Sequence, residues 1–286
     1  MKEVKLPAYA KINLTLDVLG NREDGFHDLS MVMQSVTLAD TVTITKGEGQ
    51  ELTLSTDLGF LSGTDKNIAA VAARVFAKHT GVSLDGIHIH LAKKIPVCAG
   101  TAGGSSDGAA VLRGLNELFE TGLSLEELAN MGEEVGSDVP YCVLGCTALA
   151  EGRGEVLTKL PSLPDCTILL CKPGFPISTP ELFHKIDDTK IHLHPDTAGM
   201  LQALEQGDLA GICHRMFNVF EAALPQSRRE EVEEIKSTML GGGALGACMS
   251  GTGPTVFGIF ESREQAQQVY DTLSATYPET YLTHNV

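Results

Sequence analysis

Apolar side chains fall at every second position in short runs near the start of the chain. Within residues 4–20 and 36–46, Ile12-Asn13-Leu14-Thr15-Leu16 and Thr41-Val42-Thr43-Ile44-Thr45 have the period of half-buried strands. The period changes over 67–79, where Ile68, Val71, Ala72, Val75 and Phe76 share one helical stripe and Gly81 stands in reach as a stop. A strand period returns over 87–91. Beyond Ser105, Val111, Leu112, Leu115, Leu118 and Phe119 recur at helical spacing, so a helix there can bury one face. Ser124-Leu125-Glu126-Glu127 has the form of a capping box, predicting a short helix to about Val135 that Gly136 ends. Gly136-Ser137-Asp138-Val139-Pro140 reads as a loop.

In the second half, 167–171 reads as a buried strand, and three helical stretches follow between about 197 and 240. Residues 247–250 and 255–260 read as strands about a Gly251-Thr252-Gly253 turn, with a helix from about Arg263. Strands and helices mix without regular βα units, which predicts an α+β protein. The stretch 160–166, with three prolines nearby, is the expected boundary between two domains, 1–160 and 161–286.

Composition narrows the partners. The 286 residues are 43% hydrophobic, enough for a large core, and carry a formal net charge of −16. That charge argues against a nucleic-acid partner, which clustered Lys and Arg would have to hold. An anionic small ligand would instead be met by backbone dipoles, one or two lysines and a divalent cation. Seven cysteines form an odd set without a Cys-x-x-Cys pair. Lys5, Lys11, Asn13 and Asp17 interrupt any apolar leader, and no run approaches the roughly 18 apolar residues of a membrane span. A cytoplasmic protein with reduced thiols and no membrane attachment is expected.

The densest chemistry lies in Pro96-Val97-Cys98-Ala99-Gly100-Thr101-Ala102-Gly103-Gly104-Ser105-Ser106-Asp107, a turn of small residues feeding a helix. Small residues let backbone N–H groups approach an anion, and the unpaired donors and positive end of the helix then hold it. The segment is neither a Walker loop nor a GxGxxG dinucleotide turn; taken alone, it also suits plain packing. Lys11 on the first strand and Asp138 in its loop add an ammonium and a carboxylate. Together with a phosphate cradle they suggest phosphoryl transfer, with the carboxylate accepting the acceptor hydroxyl's proton. Taken singly, Lys11 also reads as a surface lysine and Asp138 as a turn former.

The run Pro-x3-Gly followed by small residues and Gly-Ser-Ser-x-x-Ala resembles the phosphate loop of the GHMP kinases. Five ordered motifs narrow the likeness: Pro7-Ala8-Tyr9-Ala10-Lys11-Ile12-Asn13-Leu14, Asp24-Gly25-Phe26-His27, Gly103-Gly104-Ser105-Ser106-Asp107, Gly136-Ser137-Asp138-Val139-Pro140 and Met249-Ser250-Gly251-Thr252-Gly253. Together they resemble the 4-diphosphocytidyl-2-C-methyl-D-erythritol kinases over almost the whole chain. The resemblance implies an N-terminal domain like domain 2 of ribosomal protein S5, a ferredoxin-like C-terminal domain, and substrate in the cleft between them. It implies ATP- and Mg²⁺-dependent phosphorylation of the substrate's 2-hydroxyl, a step toward isoprenoid precursors, with Mg²⁺ carried by ATP and no protein metal site.

Carried over by residue, the resemblance makes Asp138 the base and Lys11 its partner, with Asn13 in support. Gly251 and Thr252 line the phosphate cleft; Asn67, Ile68 and Lys93 surround the adenine, and 96–106 holds the phosphates. Phe26, His27 and Phe183 hold the cytosine, an aromatic stacking on the ring and the histidine reading its polar edge; alone, Gly25-Phe26-His27 also reads as a simple turn. Cys98, Ala99 and Ala102 stand where the family usually has Gly, and Thr101 where it has Leu. Phe26 replaces the commoner Tyr. Alanine accepts positive φ less freely than glycine, so these exchanges bear on cradle shape and ATP affinity. Another small-molecule kinase of the homoserine or mevalonate type, or a nucleotide-binding protein without turnover, are the alternatives, and a monomer or weak homodimer is expected. His88 with His90, and His192 with His194, read as polar strand faces, because a metal needs a third ligand. Arg229-Glu230-Glu231-Val232-Glu233-Glu234 reads as a solvated helix face.

Overall fold

The computed structural model describes residues 2–61, 63, 66–189 and 191–286. The chain divides into two compact units, one made of Met1–Ala10, Ala39–Val97 and Ala102–Gly145, the other of Lys11–Leu38, Cys98–Thr101 and Cys146–Val286. Strands β1 (Lys2–Asn21) and β2 (His27–Lys46) contribute residues to both. They are longer than the runs expected at 4–20 and 36–46. In β2, Met31, Val32, Met33, Gln34 and Ser35 are all buried, so both faces are covered and the alternation that marks a half-buried strand is lost.

In the first unit follow β3 (Thr53–Thr56), α1 (Ile68–Thr80), β4 (Ile87–Ala92), α2 (Gly103–Phe119), α3 (Leu125–Glu133) and α4 (Val139–Leu144). β2 pairs antiparallel with β4, setting Val42 opposite Leu91 and Ile44 opposite Ile89, and β3 runs parallel to β4. The period of two sends Val42, Ile44, Ile87, Ile89 and Leu91 into one hydrophobic cluster with Phe76 of α1 and Leu112 and Leu115 of α2. The opposite register positions hold Thr43 beside His90 and Thr45 beside His88. The imidazoles bond to hydroxyls there, His88 to Thr53 and Ser55, and His90 to Ser55. The α3 capping box forms as expected from Ser124 and Glu127. The stretch 136–140 is not wholly loop: α4 starts at Val139, with Pro140 in the first turn, where its missing N–H costs no helical bond.

The second unit adds β5 (Thr147–Gly152), β6 (Val156–Lys159), β7 (Thr167–Cys171), α5 (Thr179–Asp188), α6 (Thr197–Gln206), α7 (Leu209–His214), β8 (Phe217–Asn218), α8 (Phe220–Ala223), α9 (Gln226–Gly241), β9 (Gly246–Met249), β10 (Val256–Phe260), α10 (Arg263–Ser274) and β11 (Thr280–His284). β5 pairs with the first half of β2 and with β6, while β8 joins β1 in parallel. The remaining strands form a separate antiparallel sheet in the order β11-β7-β10-β9, fourth-first-third-second by sequence, the ferredoxin-like arrangement. Every residue of its central strands β7 and β10 is buried, and α9 and α10 pack on them. Four helices occupy the stretch where three were read, because α8 is a single turn too short to show a period. β3, β5, β6, β8, β11 and α5 were not anticipated.

Candidate active site

The candidate phosphate cradle is built from backbone. Ala102 precedes α2 at φ 57 and makes no side-chain cap, and the first helical bond runs from the Ser106 N–H to the Ala102 carbonyl at 2.8 Å. The N–H groups ahead of Ser106 therefore have no intrahelical acceptor and lie at the positive end of a 17-residue helix. Glycine keeps this end narrow. A Cβ on Gly103 would lie 3.0 Å from Ile95, and on Gly104 and Gly108 at 3.2 and 2.9 Å from Ile68, so Ile68 fills the groove beside α2. The two serines differ: Ser106 is buried and donates its hydroxyl to the Tyr9 carbonyl at 2.5 Å, while the half-buried Ser105 has no side-chain partner among the described residues.

The preceding turn, 98–101, is held by the 249–255 segment of its own unit. The Gly100 carbonyl accepts from the Ser250 hydroxyl at 3.0 Å, and the Ala99 carbonyl from the Thr255 N–H at 3.3 Å. Gly100 has φ 75, and a Cβ there would sit 2.1 Å from the Ser250 carbonyl oxygen; Gly251, at φ 57, would place one 2.8 Å from the Gly100 oxygen. Only glycine fits at this mutual approach. Asn218 locks the far side by donating to the Met249 and Gly251 carbonyls at 2.7 and 2.8 Å. Thr252 meets the Thr179 hydroxyl at 2.9 Å. Cys98 at φ 52 and Ala102 at φ 57 occupy the left-handed region without glycine, at roughly 1–2 kcal/mol each.

Asn67 and Lys93 are engaged within their unit. Asn67 caps α1, accepting from the Ala69 N–H at 3.0 Å and donating to the Leu61 carbonyl at 3.1 Å. The Lys93 ammonium is buried between Asp40 and Asp107, and Asp40 also accepts from the Lys94 and Ile95 N–H groups. Burial opposes the Lys93 charge, but Asp107 and Asp40 outweigh it and hold the ammonium above its ordinary range. Burial pushes the Asp107 carboxyl up to about 7, against the pull of Lys93 and with the push of Asp40. One cation between two carboxylates ties the segment that follows β4 to β2 and to the first turns of α2.

Lys11 lies on β1 at 3% exposure, its ammonium donating to Asn13 at 2.6 Å and its N–H to the Thr101 carbonyl at 3.1 Å. Positions 11 and 13 share a strand face, which makes that pairing automatic. Asp138 sits half-buried at the start of α4, at φ −86 and ψ −8, and its carboxylate does not cap the helix.

In the second unit, His27 Nε2 lies 2.7 Å from Asp187, and its ring is 4.8 Å from that of Phe183, which in turn meets Phe220 edge-on at 4.8 Å. Phe26 is 49% exposed, with the Arg153 guanidinium 4.9 Å from its ring centre. Asp187, Arg153 and Asn218 escaped the sequence reading. A helix over 179–188 would have flagged Asp187, four residues after Phe183 and so on its face.

The GHMP kinases N terminal domain matches residues 67–146, and the GHMP kinases C terminal domain matches 200–279. The 4-diphosphocytidyl-2-C-methyl-D-erythritol kinase of Lachnoclostridium phytofermentans is 45% identical, covering 94% of this chain and 92% of its own. The enzyme of the same name from Alkaliphilus metalliredigens is 40% identical over 100% of this chain and 97% of its own. A crystal structure of 4-(cytidine 5'-diphospho)-2C-methyl-D-erythritol kinase superposes with a TM-score of 0.81 at 29% identity, covering 99% of both chains. The chain thus belongs to the 4-diphosphocytidyl-2-C-methyl-D-erythritol kinase family, within the GHMP kinases.

Proposed function

We propose that this kinase transfers the γ-phosphoryl group of ATP to the 2-hydroxyl of 4-diphosphocytidyl-2-C-methyl-D-erythritol, with Asp138 as base and Lys11 stabilising the attacked oxygen. The observation that carries the reading is the open, uncapped start of α2 with the unpartnered Ser105 hydroxyl, in a chain whose relatives bear that enzyme's name. Asp138 takes the hydroxyl proton as the oxygen attacks phosphorus; the new O–P bond forms while the bond to the β-phosphate oxygen breaks and ADP leaves. The ammonium of Lys11 favours the oxygen's developing negative charge, and Asn13 holds that ammonium in place. The α2 N–H groups and the turn at Gly251 and Thr252 receive the phosphates. When bound on the triphosphate, Mg²⁺ would supply charge neutralisation there, with the Ser105 hydroxyl an oxygen donor of the kind a hard cation takes. Phe26, His27 and Phe183 hold the cytosine, while Asn67, Ile68 and Lys93 shape the adenine side as the caps and packing described above.

Purified protein with ATP and Mg²⁺ should phosphorylate the cytidine-linked acceptor in preference to homoserine or mevalonate; preference for either of the latter overturns the reading. No described helix is long and apolar enough to cross a membrane. Asp138→Asn should lower the single-turnover rate by about 10²–10⁴-fold while ATP still binds, and Lys11→Ala should follow it. A near-normal rate for Asp138→Asn would remove the assigned base.

A further inference from the structure

We infer that Asp187 is a positioning residue that fixes the proton on one nitrogen of His27 and so makes the other an acceptor selective for an amino-bearing pyrimidine. The inference rests on the cytidine reading of this pocket. Helix α5 presents Phe183 and Asp187 four residues apart, on one face. Asp187 Oδ1 lies 2.7 Å from His27 Nε2, the Phe183 ring lies against the imidazole at 4.8 Å, and 10% of the histidine side chain is exposed. The ring is held from two sides. An ionised carboxylate has no proton to give, so Nε2 carries the hydrogen in this contact. A neutral imidazole has one N–H, which leaves Nδ1 with a lone pair. Nδ1 has no hydrogen-bond partner among the described residues, and a ligand can claim it.

That lone pair divides the pyrimidines. Cytosine offers an N4 amino donor at the position where uracil offers an O4 acceptor, so the first is bonded and the second repelled. Stacking on Phe26 or Phe183 makes no such distinction, because every base has a π-face. Affinity in this pocket therefore comes from the aromatic rings, and choice from the tautomer that Asp187 imposes.

The test is run at about pH 8.5 for every variant, on the basic side of the ordinary histidine value. Wild type, Asp187→Asn and Asp187→Glu are compared with cytidine-diphosphate-linked and uridine-diphosphate-linked methylerythritol as acceptors, with the KM for ATP measured alongside. Imidazole ¹H–¹⁵N correlation spectra report which nitrogen of His27 is protonated. The wild type should show the Nε2–H form and prefer the cytidine acceptor by about 100-fold or more. Asp187→Asn, whose amide can either donate or accept, should populate the Nδ1–H form and lose at least about tenfold of that preference through acceptor KM, leaving ATP unaffected. Asp187→Glu should restore most of it. A wild-type ring protonated on Nδ1, or an unchanged cytidine preference in Asp187→Asn, overturns the inference. A wild type that turns over neither acceptor overturns the proposed substrate instead, and the spectra still decide the tautomer.

Discussion

The proposed phosphate cradle and the proposed base pocket are made of different material. Around 98–106 the working groups are main-chain N–H donors and glycine contours; around Phe26, His27 and Phe183 they are side chains held by other side chains. A backbone site tolerates a change of side chain as long as φ and clearance survive, so Cys98 and Ala102 stand at positive φ in a loop of otherwise ordinary architecture. It has no tolerance where two main chains touch. A side-chain site has the reverse sensitivities.

The sharpest way to break this contrast is Gly100→Ala. A methyl 2.1 Å from the Ser250 oxygen must displace main chain, and the loss should be about 3 kcal/mol or more in denaturant unfolding, accompanied by loss of ATP binding. Stability within about 0.5 kcal/mol of wild type would mean that the approach to Ser250 yields easily. Next come Phe26→Ala and His27→Ala, each expected to cost on the order of 1–3 kcal/mol in acceptor use, seen as a rise of about five- to 150-fold in acceptor KM with ATP affinity intact. Variants that instead lose ATP would show that the two sites had been assigned the wrong way round.

The Asp40, Lys93 and Asp107 triad supplies a pH-dependent effect. The Asp107 carboxyl is raised in the folded state, so the folded chain binds more protons than the unfolded one between about pH 4 and 7, and stability falls as pH rises through that window. Asp107→Asn removes this slope. Measured against it, the wild type should lose stability between pH 5 and 7; parallel curves would refute the burial argument. The smallest effect is Ala102→Gly. Relief of a left-handed alanine should outweigh the added chain entropy by about 0.5–1 kcal/mol in the denaturation midpoint, and a loss would show that the methyl packs usefully.

Elements with a repeating pattern were legible. Helix α1 ends at the Gly81 signal, with Asn67 found as its N-cap, and the Ser124 capping box is present. α2 was legible as a helix, although it begins at Gly103, ahead of its first apolar stripe residue, because glycine and serine carry no period. Strands buried on both faces, such as 31–36 in β2, gave no alternation to read. The long-range contacts were not legible. Nothing local tells that Gly100 needs Ser250, and Asp187 lies on a helix whose opening Ser178-Thr179-Pro180 resembles a turn until Pro180 is seen in the first helical turn. Resemblance located the motifs; only the fold shows which hydroxyl of Ser105 and Ser106 is already committed.

The bond between Gly100 and Ser250 spans 150 residues of chain. During synthesis at about 5–20 residues per second, the ribosome adds the strap that holds the 98–101 turn roughly 8–30 seconds after the turn itself. Until then the glycine at position 100 has no main chain to face. The cradle is thus among the last parts of the nascent protein to be completed, although its own residues are made in the first half.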